Sequence, residues 1–183
     1  MLKDEEKVSS EDIFPEILDA ESFDRSFPEE VKKLSNQNVY YCFQCGTCVT
    51  GCTVTDFGQN TKRLIRKIIF GLKEEVLNDD SIWLCSECYC CAERCPQGVK
   101  LPIIWITLRN MAAERGIVPM NVKYAINAIK STGRIVEVPE ATEVKRERLN
   151  LPRIGKLSND IINEINQIFE KSDFILLKTK SSD

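Results

Sequence analysis

Nine cysteines carry the clearest chemistry in this chain, and they fall into two groups. The first group lies in "CFQCGTCVTGC", and its members are Cys42, Cys45, Cys48 and Cys52. The second lies in "CSECYCCAERC", just before Pro96, and its members are Cys85, Cys88, Cys90, Cys91 and Cys95. The first group has the spacing C-x2-C-x2-C-x3-C, and the second repeats it when Cys90 is left out. Two copies of one spacing in a single chain indicate metal binding through sulfur.

This spacing is typical of loops that hold iron–sulfur cubes. Three cysteines at intervals of three let a short loop present three thiolates to three iron corners, while the fourth cysteine is carried away from that cube. In two-cluster ferredoxins the fourth cysteine binds the other cluster. On that precedent we expect two neighbouring [4Fe-4S] clusters with crossed ligand sets. Cluster 1 takes Cys42, Cys45, Cys48 and Cys95, and cluster 2 takes Cys52, Cys85, Cys88 and Cys91.

The fifth cysteine of the second group, Cys90, is predicted not to be a ligand. Using Cys90 in place of Cys91 would shorten one gap to a single residue and lengthen the next to four, which loses the match to the first group. Adjacent side chains also point in different directions, so the two thiols are not expected to reach the same cube. We therefore expect Cys90 to be a small, buried, weakly polar side chain.

The absence of histidine from the whole sequence narrows the chemistry further. It excludes zinc sites that combine Cys with His, haem ligation by His, Rieske clusters and general-base catalysis by His. Structural zinc held by four thiolates is the remaining alternative. Zinc modules usually present separated C-x2-C pairs, so the spacing favours cubes. A disulfide framework is disfavoured because the number of cysteines is odd and no export signal precedes them.

Composition and charge set the broad class. The chain has 183 residues, 43% hydrophobic content and a formal net charge of −3, which are typical of a soluble globular protein. The charge gives no basic surface for a nucleic acid, and no apolar run approaches the roughly 18 residues that a membrane span needs. The start, "MLKDEEKVSS", lacks the apolar stretch of a secretory signal. We therefore expect a cytoplasmic protein with reduced thiols.

Helical periodicity outside the cysteine groups predicts an all-α fold, an α-helical ferredoxin with two cysteine-rich cluster-binding loops. Helix signals begin near Ser26, Asn60, Pro102, Pro119 and Ser158. The helix from Asn60 is expected to carry its apolar face through to Val76, and the helix from Pro102 to end near Gly116. Hairpin-based ferredoxins have no room for such helices.

The basic residues on the helix from Asn60 have two interpretations. They are Lys62, Arg63, Arg66, Lys67 and Lys73. Cations near an anionic cube would raise its reduction potential. The plainer interpretation is a solvated helix face, and the sequence favours it.

The predicted organisation has three parts. Residues 1–25 form a flexible N-terminal arm, and residues 26–133 form the α-helical ferredoxin domain that binds both clusters. Residues 134–183 form an extended segment, over 134–157, followed by a C-terminal helix. Whether that last helix docks on its own core or on a partner is left open by the sequence.

Three segments carry a resemblance to a known family. They are "YYCFQCGTCVTGCTVTDF", "NTKRLIRKIIFGLKEEVLNDDSIWLC" and "CAERCPQGVKLPIIWITLRNMA". Together, over about residues 38–130, they resemble the iron–sulfur C subunit of the heterodisulfide reductase of methanogenic archaea. Two departures stand out: Thr53 occurs where many ferredoxins have Pro, and Cys90 is extra. Neither is a predicted ligand position.

The resemblance implies more than the spacing does. In that family the C subunit holds two [4Fe-4S] clusters and relays electrons from a flavin-containing A subunit to a B subunit. The B subunit reduces the mixed disulfide of coenzyme M and coenzyme B, and a hydrogenase joins the larger complex. The resemblance therefore implies an electron-transfer subunit in methanogenesis with no catalytic residue of its own.

Two alternatives to this function stay open. One is the iron–sulfur subunit of another flavin-linked oxidoreductase. Such subunits often carry CCG domains, whereas this chain has only the Cys90-Cys91-Ala92 tripeptide. The other alternative is a structural cysteine-rich zinc module without redox activity. Iron and labile-sulfide analysis distinguishes that module from an electron carrier.

Overall fold

The computed structural model describes residues 23–172, and all the regular structure within that range is helical. The all-α prediction is therefore confirmed. The helices are α1 (Phe27–Ser35), α2 (Thr47–Thr50), α3 (Thr61–Ile69), α4 (Lys73–Leu77), α5 (Cys90–Glu93), α6 (Leu101–Glu114), α7 (Met120–Thr132), α8 (Glu140–Arg148) and α9 (Asn159–Lys171). Short 3-10 turns span Val39–Tyr41, Thr55–Phe57 and Asp80–Trp83. No helix in the described part of the chain is long and apolar enough to cross a membrane.

Helix α1 begins where the sequence predicts, directly after Ser26. Ser26 occupies the N-cap position and its own side chain makes no capping bond to the helix. Instead, the Asp24 carboxylate accepts hydrogen bonds from the Ser26 backbone N–H at 2.9 Å and from its hydroxyl at 2.6 Å. Pro28 fits the first turn because the amide N–H that it lacks would have no helical partner there.

The single helix expected from Asn60 to Val76 is wrong, because the chain breaks it into α3 and α4. The break lies at Gly71, whose φ of +79° places it in the left-handed region. The Asp24 backbone N–H donates to the Gly71 carbonyl oxygen at 2.8 Å, so the N-terminal segment packs directly against this turn. Val76 is nevertheless fully buried, as the apolar face predicted.

The core surrounds α6 and is continuous with the cysteine loops. Helix α6 contacts α1, α4, α5 and the Asp80–Trp83 turn. The largest fully buried apolar side chains are Phe27, Val31, Val39, Ile65, Ile68, Val76, Leu77, Ile82, Ile104, Trp105 and Leu108. Cys91 belongs to this core, and Cys42, Cys48, Cys85 and Cys95 pack against it. The core therefore fixes the positions of thiols from both motifs.

The extended segment predicted over residues 134–157 is wrong in its middle, where α8 forms. Acidic residues in its first turn and basic residues in its last turn complement the helix dipole. The helix buries only Glu143, so it has no apolar stripe for periodicity to detect. The buried Glu143 carboxylate accepts hydrogen bonds from the Ile154 backbone N–H at 3.1 and 3.2 Å.

The predicted C-terminal helix forms as α9, and it packs on α7 of the same chain. The Asn166 side-chain amide donates to the Lys130 carbonyl oxygen at 3.1 Å. The Lys130 ammonium lies 5.5 Å from the centre of the Phe169 ring. Ser158 holds the N-cap position, although its side chain makes no capping bond. The predicted flexible arm falls mostly on residues 1–22, which lie outside the described residues.

Replacing Gly71 with alanine is expected to destabilise the protein strongly. A Cβ there would overlap the Asp24 carbonyl oxygen, which is backbone and cannot rotate away. Gly116 is a matched control because its φ is +78° and a Cβ there meets nothing within 4 Å. We expect about 1–2 kcal/mol of destabilisation for Gly116→Ala from its backbone angle alone. Gly71→Ala should cost about 1–3 kcal/mol more because the clash adds to the same angle. Thermal unfolding of the cluster-loaded proteins under anaerobic conditions measures the difference, and equal losses would contradict the prediction.

Candidate metal centres

The two cysteine motifs fold into loops of the same form. In the first, Gln44 and Gly46 have φ of +63° and +84°; in the second, Glu87 and Tyr89 have φ of +55° and +61°. These residues occupy equivalent places in the two spacings. Each loop then enters a four-residue helix, α2 or α5, whose second residue is the third cysteine of the motif. In each loop, two left-handed residues separated by one residue produce a tight turn. The two motifs therefore share both their cysteine spacing and their backbone conformation at these positions.

The two loops meet through their short helices. Helices α2 and α5 contact each other. Gly51 caps the C-terminus of α2, and a Cβ at this position would lie 2.6 Å from the Arg94 guanidinium at the end of α5. A side chain at position 51 would therefore displace the Arg94 side chain from this contact. The close contact brings the end of each motif towards the other loop.

The four predicted ligands of cluster 1 line one cavity. They are Cys42, Cys45, Cys48 and Cys95. Gln44 and Lys62 also line this cavity, and Ile65, Val99 and Leu101 form its apolar wall. Thus Lys62, one of the basic residues weighed as a cluster neighbour, lies at the site. Lys67 does not line the cavity; its ammonium pairs with the Glu75 and Asp79 carboxylates at 3.3 and 3.5 Å.

The four predicted ligands of cluster 2 line a second cavity. They are Cys52, Cys85, Cys88 and Cys91. Gln59, Thr61, Pro102 and Trp105 are also in its wall, so α6 closes this side of the site. Cys90 lines neither cavity and is half-buried, less than the sequence led us to expect. Within residues 23–172, no three cysteine, aspartate or glutamate side chains are grouped so as to hold a single metal ion.

Three polar side chains bond to sulfur in the first cavity. The Gln44 side-chain amide donates to the Cys42 Sγ at 3.4 Å, and the Thr61 hydroxyl donates to the Cys48 Sγ at 3.3 Å. The Thr47 Oγ1 lies 3.3 Å from the Cys45 Sγ. The hydrogen bond with Thr47 lowers the pKa of Cys45 below the usual value for a thiol. At Cys45 this contact favours the thiolate, the form that binds metal.

Burial raises the pKa of the thiols that face the core. Burial, with the charges of the neighbouring thiolates as the second cause, raises the pKa of Cys91 to about 12. It also raises the pKa of Cys85, and that of Cys48 despite the bond from Thr61. Ionised sulfurs crowded in an apolar wall need a bound cation to stabilise them. The donor set and its surroundings therefore fit an iron–sulfur cluster in each cavity.

Sequence patterns missed the polar residues that accompany the thiols. Gln59 and Thr61 are each only 1% exposed and both line the second cavity. Thr61 at the same time bonds to Cys48 of the first cavity, so it lies between the two sites. Gln44 stands inside the first motif, which is a signal that could have identified it. Gln59 and Thr61 carried no such signal, since they precede and open an ordinary helix.

Comparison with known proteins identifies a domain family and several relatives. Residues 38–99 match the 4Fe-4S dicluster domain family. The C subunit of the H(2):CoB-CoM heterodisulfide,ferredoxin reductase of Methanothermobacter thermautotrophicus is 31% identical over 160 residues, covering 84% of this chain and 85% of the relative. The C subunit of the Ferredoxin:CoB-CoM heterodisulfide reductase of Methanosarcina mazei is 35% identical over 126 residues, covering 68% and 78%.

A third relative extends over most of the chain. The iron-sulfur C subunit of the CoB–CoM heterodisulfide reductase of Methanopyrus kandleri is 29% identical over 173 residues, covering 91% of this chain and 88% of the relative. The resemblance noted in the sequence is thus confirmed along a length that includes both cysteine motifs. The match to a 4Fe-4S dicluster domain supports the binding of iron–sulfur clusters by this chain. The chain belongs to the family of iron–sulfur C subunits of CoB–CoM heterodisulfide reductases.

Proposed function

We propose that this chain is the electron-transfer subunit of a cytoplasmic CoB–CoM heterodisulfide reductase. It would carry two [4Fe-4S] clusters in crossed ligation and relay electrons from a flavin-containing A subunit to a disulfide-reducing B subunit. A hydrogenase would join the larger complex. The observation that carries the proposal is the pair of four-thiol cavities in one packed unit, with Thr61 in the wall of one and bonded to a thiol of the other.

The protein's part in electron transfer is to hold two redox groups close together and shield them from water. When bound, each cluster supplies a site that accepts and releases one electron. Buried apolar residues such as Ile65 and Trp105 close the inner walls of the cavities. Each predicted ligand set also contains one exposed thiol, Cys45 in the first and Cys88 in the second. Each site therefore has an edge that a partner can approach.

The surface beside the first cavity is suited to contact with a partner protein. Tyr41 and Phe43 flank Cys42 in the sequence and are 61% and 59% exposed. Exposed aromatic side chains are enriched where proteins bind one another. The 3-10 turn that carries Tyr41 packs against α3, which also presents the exposed Lys62. Electron transfer into or out of the chain at this edge is consistent with that arrangement.

The isolated chain is expected to bind iron and sulfide but to have no disulfide reductase activity. The sequence has neither a glycine-rich nucleotide fingerprint nor a pair of CCG motifs, which are the features that would predict a dinucleotide site or a CCG-type catalytic module. Anaerobically purified protein should contain about eight iron and eight labile sulfide atoms per chain, four from each cube. Turnover of the mixed disulfide by this chain alone, with an artificial electron donor, would contradict the assignment.

The partners are tested by purifying the complex from its native source. We expect flavin-containing and cysteine-rich subunits to co-purify with this chain, and the complex to reduce the disulfide when the chain is present. Omitting the chain from a reconstituted mixture should abolish electron flow between the other two subunits. Co-purification with a different flavin enzyme, whose substrate is reduced or oxidised instead, would favour the alternative of another oxidoreductase.

A further inference from the structure

Gln59 is a buried side chain without a hydrogen-bond partner. It follows the Thr55–Phe57 turn and precedes α3, and its backbone N–H donates to the Val54 carbonyl oxygen at 3.3 Å. Its side chain is only 1% exposed, and neither its Nε2 nor its Oε1 bonds to any group in residues 23–172. Leaving a buried polar group unpaired is destabilising, because the hydrogen bonds that it loses with water are not replaced. The Gln59 amide therefore needs a hydrogen-bond partner that residues 23–172 do not provide.

The position of Gln59 identifies the kind of partner. Its side chain is in the wall of the cavity lined by the four predicted ligands of cluster 2. A cube bound there would present thiolate and sulfide sulfurs, which accept hydrogen bonds but donate none. The amide N–H of Gln59 is the complementary donor. With a cluster bound in the second cavity, the Gln59 N–H and a cluster sulfur would each have a hydrogen-bond partner.

The first cavity shows the same arrangement with its bond already formed. Gln44 is in its wall and donates from Nε2 to the Cys42 Sγ at 3.4 Å. The first cavity also receives the Thr61 hydroxyl, which bonds to Cys48. Each cavity therefore contains one glutamine. Cys42 and Cys48 have side-chain donors from Gln44 and Thr61, whereas the amide of Gln59 has no acceptor among the described residues.

We propose that the side-chain amide of Gln59 donates a hydrogen bond to a sulfur atom of cluster 2 and raises the reduction potential of that cluster. The proposal rests on cluster binding as given under the proposed function. Reduction adds negative charge to the cube, and an N–H dipole directed at sulfur stabilises that charge. Gln59 thus favours the reduced state of cluster 2, and Thr61 has the same effect on cluster 1 through Cys48.

The test compares two substitutions that remove one donor each. Gln59→Met keeps the length and volume of the side chain but lacks the N–H, and Thr61→Val keeps the shape but lacks the hydroxyl. Both are loaded with clusters, their iron and sulfide are counted, and the two midpoint potentials are measured by EPR-monitored redox titration under anaerobic conditions. We expect each variant to shift one midpoint potential downwards, Gln59→Met for one cluster and Thr61→Val for the other.

A second measurement tests the proposal on the wild-type protein and uses Gln59→Met only to assign the signal. Protein labelled with ¹⁵N in glutamine side chains should show a ¹⁵N coupling on the reduced-state EPR signal of cluster 2. That coupling should disappear in labelled Gln59→Met, while a coupling from Gln44 on the other signal persists. If both midpoints are unchanged in Gln59→Met at full iron content, or if labelled wild-type protein has no coupling on that signal, the inference is overturned. If wild-type protein carries no iron and sulfide, the proposed function itself fails, so the two failures are distinguishable.

Discussion

Replacing Cys95 with serine is expected to damage the cluster of the first motif, although Cys95 belongs to the second. The reason is that Cys95 lines the cavity formed by Cys42, Cys45 and Cys48. Serine is a poor ligand for iron in such a site, so that cluster should be lost or converted to a form with fewer irons. The reduced-state EPR spectrum of Cys95→Ser should match that of Cys45→Ser, and the signal of the other cluster should remain.

The reciprocal substitution makes the test of crossed ligation decisive. Cys52 lines the second cavity, so the spectrum of Cys52→Ser should match that of Cys88→Ser. Cys90→Ser serves as the matched control because Cys90 lies beside Cys91 and lines neither cavity; it should keep full iron content. If Cys95→Ser matched Cys88→Ser instead, ligation would be uncrossed. Loss of iron in Cys90→Ser would show that the register of the second motif is wrong.

Removing both clusters is expected to unfold much of residues 38–100. Helices α2 and α5 have four residues each, far below the length at which an isolated helix is stable in water. Their loops carry the left-handed residues Gln44, Glu87 and Tyr89, whose backbone angles are costly without a compensating interaction. Metal binding in small metal-dependent domains contributes a free energy comparable to the roughly 5–15 kcal/mol that stabilises a whole domain. Loss of the clusters should therefore unfold the surrounding helices as well as the loops.

Circular dichroism before and after chelation in air measures this loss. Helical signal should fall together with the brown colour of the clusters. Hydrogen exchange locates the effect: amides of residues 38–100 should lose protection, while α7 and α9 serve as an internal control because they pack on each other. If the apo protein still unfolds in one cooperative transition with its helical signal intact, the clusters are not required for the fold.

Several features followed from the sequence because the interactions behind them are local. The three evenly spaced cysteines of each motif lie within seven residues, so a single loop is enough to bring their thiols together. The positions of α1, α6, α7 and α9 followed from Pro, Gly and Ser signals and from apolar periodicity, which act within a few residues along the chain. Even there, the structure added a contact that the signals did not predict: Ser26 donates from its backbone N–H and its hydroxyl to Asp24.

The tertiary structure decided what depends on contacts between distant segments. The helix from Asn60 breaks at Gly71 because the backbone of Asp24 packs there, and periodicity contains no information about that contact. Helix α8 went undetected since it is stabilised by charge and by the bond from Ile154 to Glu143 instead of an apolar face. The placing of α9 on α7 likewise depended on the fold.

At the candidate centres, too, some features followed from the sequence and others depended on the tertiary structure. Spacing and the ferredoxin precedent predicted which cysteines would share a cluster, and the contact between α2 and α5 brings each predicted set to one cavity. Nothing in the sequence distinguished Gln59 and Thr61 from other polar residues near a helix start. Both are buried in the wall of the second cavity, beside Pro102 and Trp105 of α6, and only the folded chain brings residues this far apart in sequence together.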